Sequence, residues 1–213
     1  ACNIPIFDLG PEYGMEGTTF FTATNIYVTP TTLSGITMNF LLSLAGGLLM
    51  GYWVSKGDPF WTYSGGLAGI ITSSAGNDLY HPMQALLIAA VGTWCAYKLH
   101  YWVERRFKID DAVGAVAVHG YAGVVGLVIC GFVLWGYPSS GYDGYAAINP
   151  IGMIAGAIIM FCILGFIPGW ILAKILHGAG KLRIPREVEL AGLDYNINEQ
   201  ARKDERAVAS SNR

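Results

Sequence analysis

Positive charge is missing from the first quarter of this chain. No Lys or Arg precedes Lys56, whereas Asp8, Glu12 and Glu16 do. Charge is scarce throughout: 13% of the 213 residues are charged, against 53% hydrophobic and 28 glycines. A soluble domain carries about a quarter of its residues as charges, so this composition excludes one and points to a polytopic helical membrane protein. The signatures of catalysis are lacking too: no P-loop, no GxGxxG fingerprint, no HExxH and no Ser/His/Asp spacing. No enzymatic activity is expected. The four cysteines have no metal-ligand spacing. Cys95, Cys130 and Cys162 lie in apolar runs and read as small hydrophobes. Cys2 reads as extracytoplasmic, and neither a disulfide network nor a metal site is expected. The basic residues flank apolar stretches, so topology explains them without nucleic acid.

Five apolar stretches are present: Thr32–Val54, Trp61–Gly76, Pro82–Val103, Asp111–Gly136 and Asn149–His177. All but the second have the ~20 residues that a span needs. The second is short and carries Thr72, Ser73 and Ser74, which allows a kinked or re-entrant segment. The expected fold class is all-α, a membrane bundle of about five helices. Residues 1–31 form an extracytoplasmic arm, 32–177 the membrane domain and 178–213 a cytoplasmic tail. With five spans, Lys56, the Arg105–Lys108 turn and the tail fall on one side, and Lys98 and Lys174 can snorkel to it. All 13 positive residues then share that side. The positive-inside rule therefore predicts an outer N-terminus and a cytoplasmic C-terminus in the plasma (inner) membrane. The chain begins with Ala1, and a cleaved signal sequence, other upstream processing or truncation of a longer membrane protein would account for that.

Glycines recur at close spacing, in Gly46-Gly47-Gly51, Gly65-Gly66-Gly69 and Gly120-Gly123-Gly126, a pattern that lets membrane helices approach closely. Pro168 is expected to kink the fifth span. Trp53, Trp61, Trp102 and the Trp135–Tyr137 cluster suit interfacial belts.

One ionisable residue stands inside an apolar run. If the fourth span starts near Asp111, His119 lies about 12 Å along its axis at ~1.5 Å per residue. That is close to the midplane of a hydrocarbon core about 30 Å thick. Ionisable groups at such depth are costly and usually functional. A neutral imidazole there could relay a proton or hydrogen-bond a small polar solute. Its nitrogen could instead ligate a haem or chlorophyll-type pigment, with Gly120 and Gly123 making room for a flat ring. A core histidine bonded to a neighbouring helix is the plainer alternative. Asp110 and Asp111 are expected to cap the start of the same span and to complement its dipole. His81, His100 and His177 read as solvated or interfacial.

The segment Asp110-Asp111-x7-His119-Gly-x2-Gly123-x2-Gly126 resembles the penultimate helix of the ammonium transporter (Amt/Mep/Rh) family. His119 falls at the position of the second of that family's twin pore histidines. Three further pieces agree in order: Gly65-Gly-Leu-Ala-Gly-Ile70 with Ser-Ser-Ala-Gly76, Pro82-Met-Gln-Ala-Leu-Leu-Ile88, and the tail Leu182-Arg-Ile-Pro-Arg-Glu187 with Glu189, Gly192, Leu193 and Asp194. The resemblance covers spans seven to eleven of the family's eleven. It implies a pore between two inverted halves, in which ammonium is deprotonated and ammonia and a proton pass along paired histidines. Phe21 falls near the family's second gating phenylalanine. Gly114 and Val116 stand where the family has Asp and Phe, and Asn196-Ile-Asn-Glu199 replaces its His-Gly-Glu.

These residues lead to an expectation of a degenerate transporter half acting as a structural or assembly subunit of a larger membrane complex, without transport of its own. The alternatives are one half of a split ammonium/ammonia channel and a cofactor-binding subunit with His119 as axial ligand. No cofactor is expected beyond that last alternative. Other membrane subunits are expected partners, since a bare five-span half would expose polar groups to lipid. The bilayer, and ammonium or ammonia as solute, complete the expected set.

Overall fold

The computed structural model describes residues 31–139, 146–192 and 199. The N-terminal arm with Cys2 and Phe21, and the tail beyond residue 192 apart from Glu199, lie outside the described residues. Residues 1–161 and 162–213 form two compact units.

The first unit is a bundle of α1 (Leu33–Ser55), α2 (Pro59–Ser73), α3 (Pro82–Phe107), α4 (Val116–Val133) and α5 (Pro150–Ile158). Each start has a local cause. The Thr32 hydroxyl accepts from the Gly35 amide, the Asp58 carboxylate from that of Trp61, and the Asn149 side chain from that of Gly152. His81 and Gln84 close a capping box on α3. Pro at the first helical position of α2, α3 and α5 costs no hydrogen bond there. The stops at Lys56 and Lys108 are left-handed, at φ 59° and 58°.

Among the described residues, three helices are long and apolar enough to cross a membrane: Leu33–Ser55, Val116–Val133 and the run Pro150–Gly178. Of the other two expected spans, α2 has only 15 residues, and α3 has 26 but is more polar. Two hydroxyls near the end of α2 are buried among neighbours: Thr72 donates to the Ala68 carbonyl and Ser73 to the Ser43 hydroxyl at 2.6 Å. Asn39 ties α1 to the loop after α2, donating to the Asn77 and Tyr80 carbonyls at 2.8 and 2.7 Å.

Glycine governs the approach of these helices. A Cβ at Gly47 would meet the Gly65 carbonyl oxygen, and one at Gly126 that of Thr72. Side chains there would push α1 from α2 and α4 from α2, as the spacing of small residues predicts.

Two aromatic expectations divide. Trp53, Trp102, Trp135 and Tyr137 are exposed, as interfacial residues would be, but Trp61 is 1% exposed. It is a core residue, with its indole N–H bonded to the Tyr101 hydroxyl at 3.0 Å and its ring edge-on to Tyr97 and His100.

In the second unit, α6 (Ile167–Gly178) and α7 (Arg186–Ala191) are joined by a turn in which Arg183 pairs with Glu189 at 3.0 Å. A π-helical segment, Ile159–Phe166, immediately precedes α6. Pro168 lacks the N–H that an α-helix would pair one turn back, and the widened segment stands where that ladder is interrupted.

Candidate functional site

The fourth helix does not start at Asp111. Residues 109–114 are non-helical, Gly114 has φ +66°, and helix resumes at Ala115. The first six residues of α4, Val116–Tyr121, are π-helical, with the Ala122 amide reaching back to the Ala117 carbonyl. Such one-turn widenings occur frequently at functional sites. This one contains His119.

Asp111 caps this start. Its Oδ1 accepts from the Val116 amide at 3.2 Å and its Oδ2 from the Ala117 amide at 2.9 Å. The carboxylate thus acts from a loop folded beneath the helix. Asp110 is exposed.

The late start leaves His119 only about 6 Å along its own helix, half the distance expected. Packing restores its depth. Val118 is buried against Ala68 of α2 and Ala96 of α3, and Ala68 lies about 14 Å along α2 from Pro59. His119 therefore sits near the middle of the bundle because α2 and α3 extend beyond the start of α4.

The imidazole is exposed, and it opens into a groove of about 460 Å³. Ile71, Ser74 and Ala75 from α2 and the turn after it form one wall. His119, Gly120, Gly123, Val124 and Leu127 form the second, and Ala157, Met160 and Phe161 the third. No lining residue carries a fixed charge, and the Ser74 hydroxyl is engaged by the Ile70 carbonyl at 2.6 Å. His119 has no hydrogen-bond partner among the described residues. One ring nitrogen can donate and the other accept, in a setting that offers a polar solute no rival.

The three glycines of the motif differ. Gly126 is sealed against the Thr72 backbone, and a Cβ on Gly120 would lie 2.8 Å from the Phe161 ring. At Gly123 the nearest atom to an added Cβ is Ile71 Cγ2, at 3.8 Å. Phe161 thus lies directly beside Gly120. Sequence reasoning passed over Phe161 because an aromatic in an apolar run carries no signal of its own.

His100 was expected at the interface and is instead 8% exposed. It packs edge-on against Trp61 and Tyr101, with Nδ1 3.6 Å from Asp111 Oδ2. The spacing of Tyr97, His100 and Tyr101 on one face of α3 is the pattern that could have revealed this.

The sequence matches the Ammonium Transporter Family over residues 13–202. It is 30% identical over 200 residues to ammonium transporter Amt1 of Methanocaldococcus jannaschii, covering 92% of this chain and 49% of the relative. It is 37% identical over 158 residues to Amt2 of the same organism, covering 72% and 35%. With ammonium transporter 1 member 3 of Solanum lycopersicum it shares 29% over 186 residues, covering 78% and 38%. The chain thus spans between a third and a half of the length of these relatives. No solved structure matches it significantly.

Proposed function

We propose, from the premise that this chain belongs to the ammonium transporter family, that it forms the His119-bearing half of the wall of a membrane pathway for ammonium or ammonia. The observation that carries this reading is the groove. An imidazole without a hydrogen-bond partner among the described residues opens into an uncharged trough between α2, α4 and the π segment after α5. A bare cation in hydrocarbon meets a steep Born penalty. A neutral solute handed along an imidazole, with its proton moved separately, avoids it. The residues supply hydrogen-bonding positions and a dry wall, and no covalent chemistry.

The groove is open, so the reading requires further membrane helices opposite it to complete the wall. Lys56, Arg105, Arg106 and Lys108 cluster where α1 and α3 end and where α2 and α4 begin, which supports placing that end on the cytoplasmic side of a plasma membrane. A second reading, a structural or assembly role without conduction, is favoured by one observation. Gly114 and Val116 replace an expected Asp and Phe at the helix start, and Gly114 only lies against the Phe60 ring.

Uptake of labelled methylammonium into vesicles containing the chain and its co-purifying subunits separates the two readings. Uptake that His119→Ala abolishes is the expected result. No uptake in the parent protein, or equal uptake in the variant, overturns the pore reading in favour of the structural one.

A further inference from the structure

His100 and Asp111 form a contact that the groove does not use. His100 Nδ1 is buried, makes no hydrogen bond, and faces Asp111 Oδ2 at 3.6 Å. That is too long for a hydrogen bond and short for two polar atoms left facing each other without one. The side chains are 9% and 14% exposed, so water does not readily separate them. The same Oδ2 accepts the Ala117 amide at 2.9 Å, two residues before His119. His100 thus stands behind the carboxylate that holds the first turn of the His119 helix.

We infer that His100 is a positioning residue for His119, acting through Asp111: a proton on its Nδ1 closes the gap to the carboxylate and fixes the π-helical turn that presents the pore imidazole. The chemistry follows from lone pairs. In the neutral ring with its proton on Nε2, Nδ1 turns an acceptor toward the carboxylate and is left without a partner. With Nδ1 protonated, a charge-assisted hydrogen bond forms, and such bonds are shorter and about twice as strong as neutral ones. A carboxylate oxygen has room to accept the Ala117 amide and His100 together, so the new bond reinforces the cap without competing with it.

The surroundings favour this partnership. Trp61 of α2 covers the imidazole edge-on at 5.1 Å, and Tyr101 of α3 at 4.9 Å. The Tyr101 hydroxyl is engaged by the Trp61 indole. The other ionisable groups of the cluster act one step away. Tyr97 interacts with Asp58 and Arg105, and Tyr121 of α4 interacts with Asp111. Asp111 is the carboxylate in direct reach of the ring. The cluster lies at the end of the bundle where α2 begins and α3 finishes, so protons reach it from that side of the membrane.

The consequence for function rests on the pore reading: acidification on that side holds His119 in register, and alkalinisation loosens it. The test reads the latch and the transport separately. Hydrogen–deuterium exchange is followed across residues 112–119 in the full chain, in lipid nanodiscs with its co-purifying subunits. The range runs from about pH 8 to about pH 5.5. After correction for intrinsic rates, protection of the Val116 and Ala117 amides is expected to rise roughly tenfold on acidification. In His100→Leu the step is lost and protection is low. In His100→Gln, whose amide donates at every pH, protection is intermediate and flat. Should His100→Leu fail to fold, the flat profile of His100→Gln carries the test. A pH-independent parent protein, or a step that survives in His100→Gln, overturns the inference. Methylammonium uptake on the same samples is expected to follow the same step. A step in exchange without uptake in any sample keeps the latch and removes the pore reading alone.

Discussion

Asp111 Oδ2 accepts the Ala117 amide at 2.9 Å, and Oδ1 the Val116 amide at 3.2 Å, so one loop carboxylate secures the start of the helix that bears His119. A helix start leaves its first amides without internal partners, and an anion there also meets the positive end of the helix dipole. Asp111→Ala is expected to lower stability by about 1–2 kcal/mol, read as a fall in melting temperature. Asp111→Asn keeps an acceptor but loses the charge and should fall between Ala and the parent protein. Asp110→Ala, at the exposed neighbour, should leave the melt unchanged.

The motif glycines give a graded prediction. Gly126→Ala drives a methyl group into the Thr72 carbonyl, which is backbone and cannot step aside. A loss of about 1–3 kcal/mol, or failure to fold, is expected. Gly123→Ala finds its nearest neighbour at 3.8 Å and should stay within about 0.5 kcal/mol of the parent protein. Denaturation of the two variants side by side checks the order, and a reversed order would refute the packing described here.

Asn39 holds two carbonyls of the loop between α2 and α3 with a single amide group. Asn39→Leu removes both bonds and leaves the buried Asn77 and Tyr80 carbonyls without their donor. A cost of about 2–3 kcal/mol is expected. Faster exchange should be confined to residues 74–82.

His119→Ala should separate stability from function. The ring has no hydrogen-bond partner among the described residues and opens into the groove. Its removal is expected to change stability by no more than about 0.5 kcal/mol while methylammonium uptake is lost. A large drop in melting temperature would mean that the imidazole supports the fold instead.

Much of this was legible in the linear chain because membrane helices are written in long apolar runs. The stretches read as spans fall on α1 to α4 and the Pro150–Gly178 run, and the packing role of Gly47 and Gly126 follows from spacing alone. His119 was singled out by its expected depth, as a histidine about 12 Å into an apolar run. The error over His100 has a clear physical origin. A histidine near a helix end beside Arg105 and Arg106 looks solvated in one dimension. Only the fold places Trp61, Tyr101 and Asp111 around it. The same holds for Trp61, whose place at the start of a helix suggested a membrane interface before α3 was seen to cover it.

Composition and the spacing of small residues determined by themselves that this is a helical membrane protein, since hydrophobic length and local spacing are properties of the chain. Its likeness to the ammonium transporter family rested on four ordered motifs, around Gly65, Pro82, His119 and Leu182. The tertiary structure decided where His119 lies and what surrounds it. The helix starts four residues late, yet burial of Val118 against Ala68 and Ala96 sets the imidazole at mid-depth, and Phe161 closes the space beside Gly120. Depth, cover and partnership arise from residues far apart in sequence, and only packing brings them together.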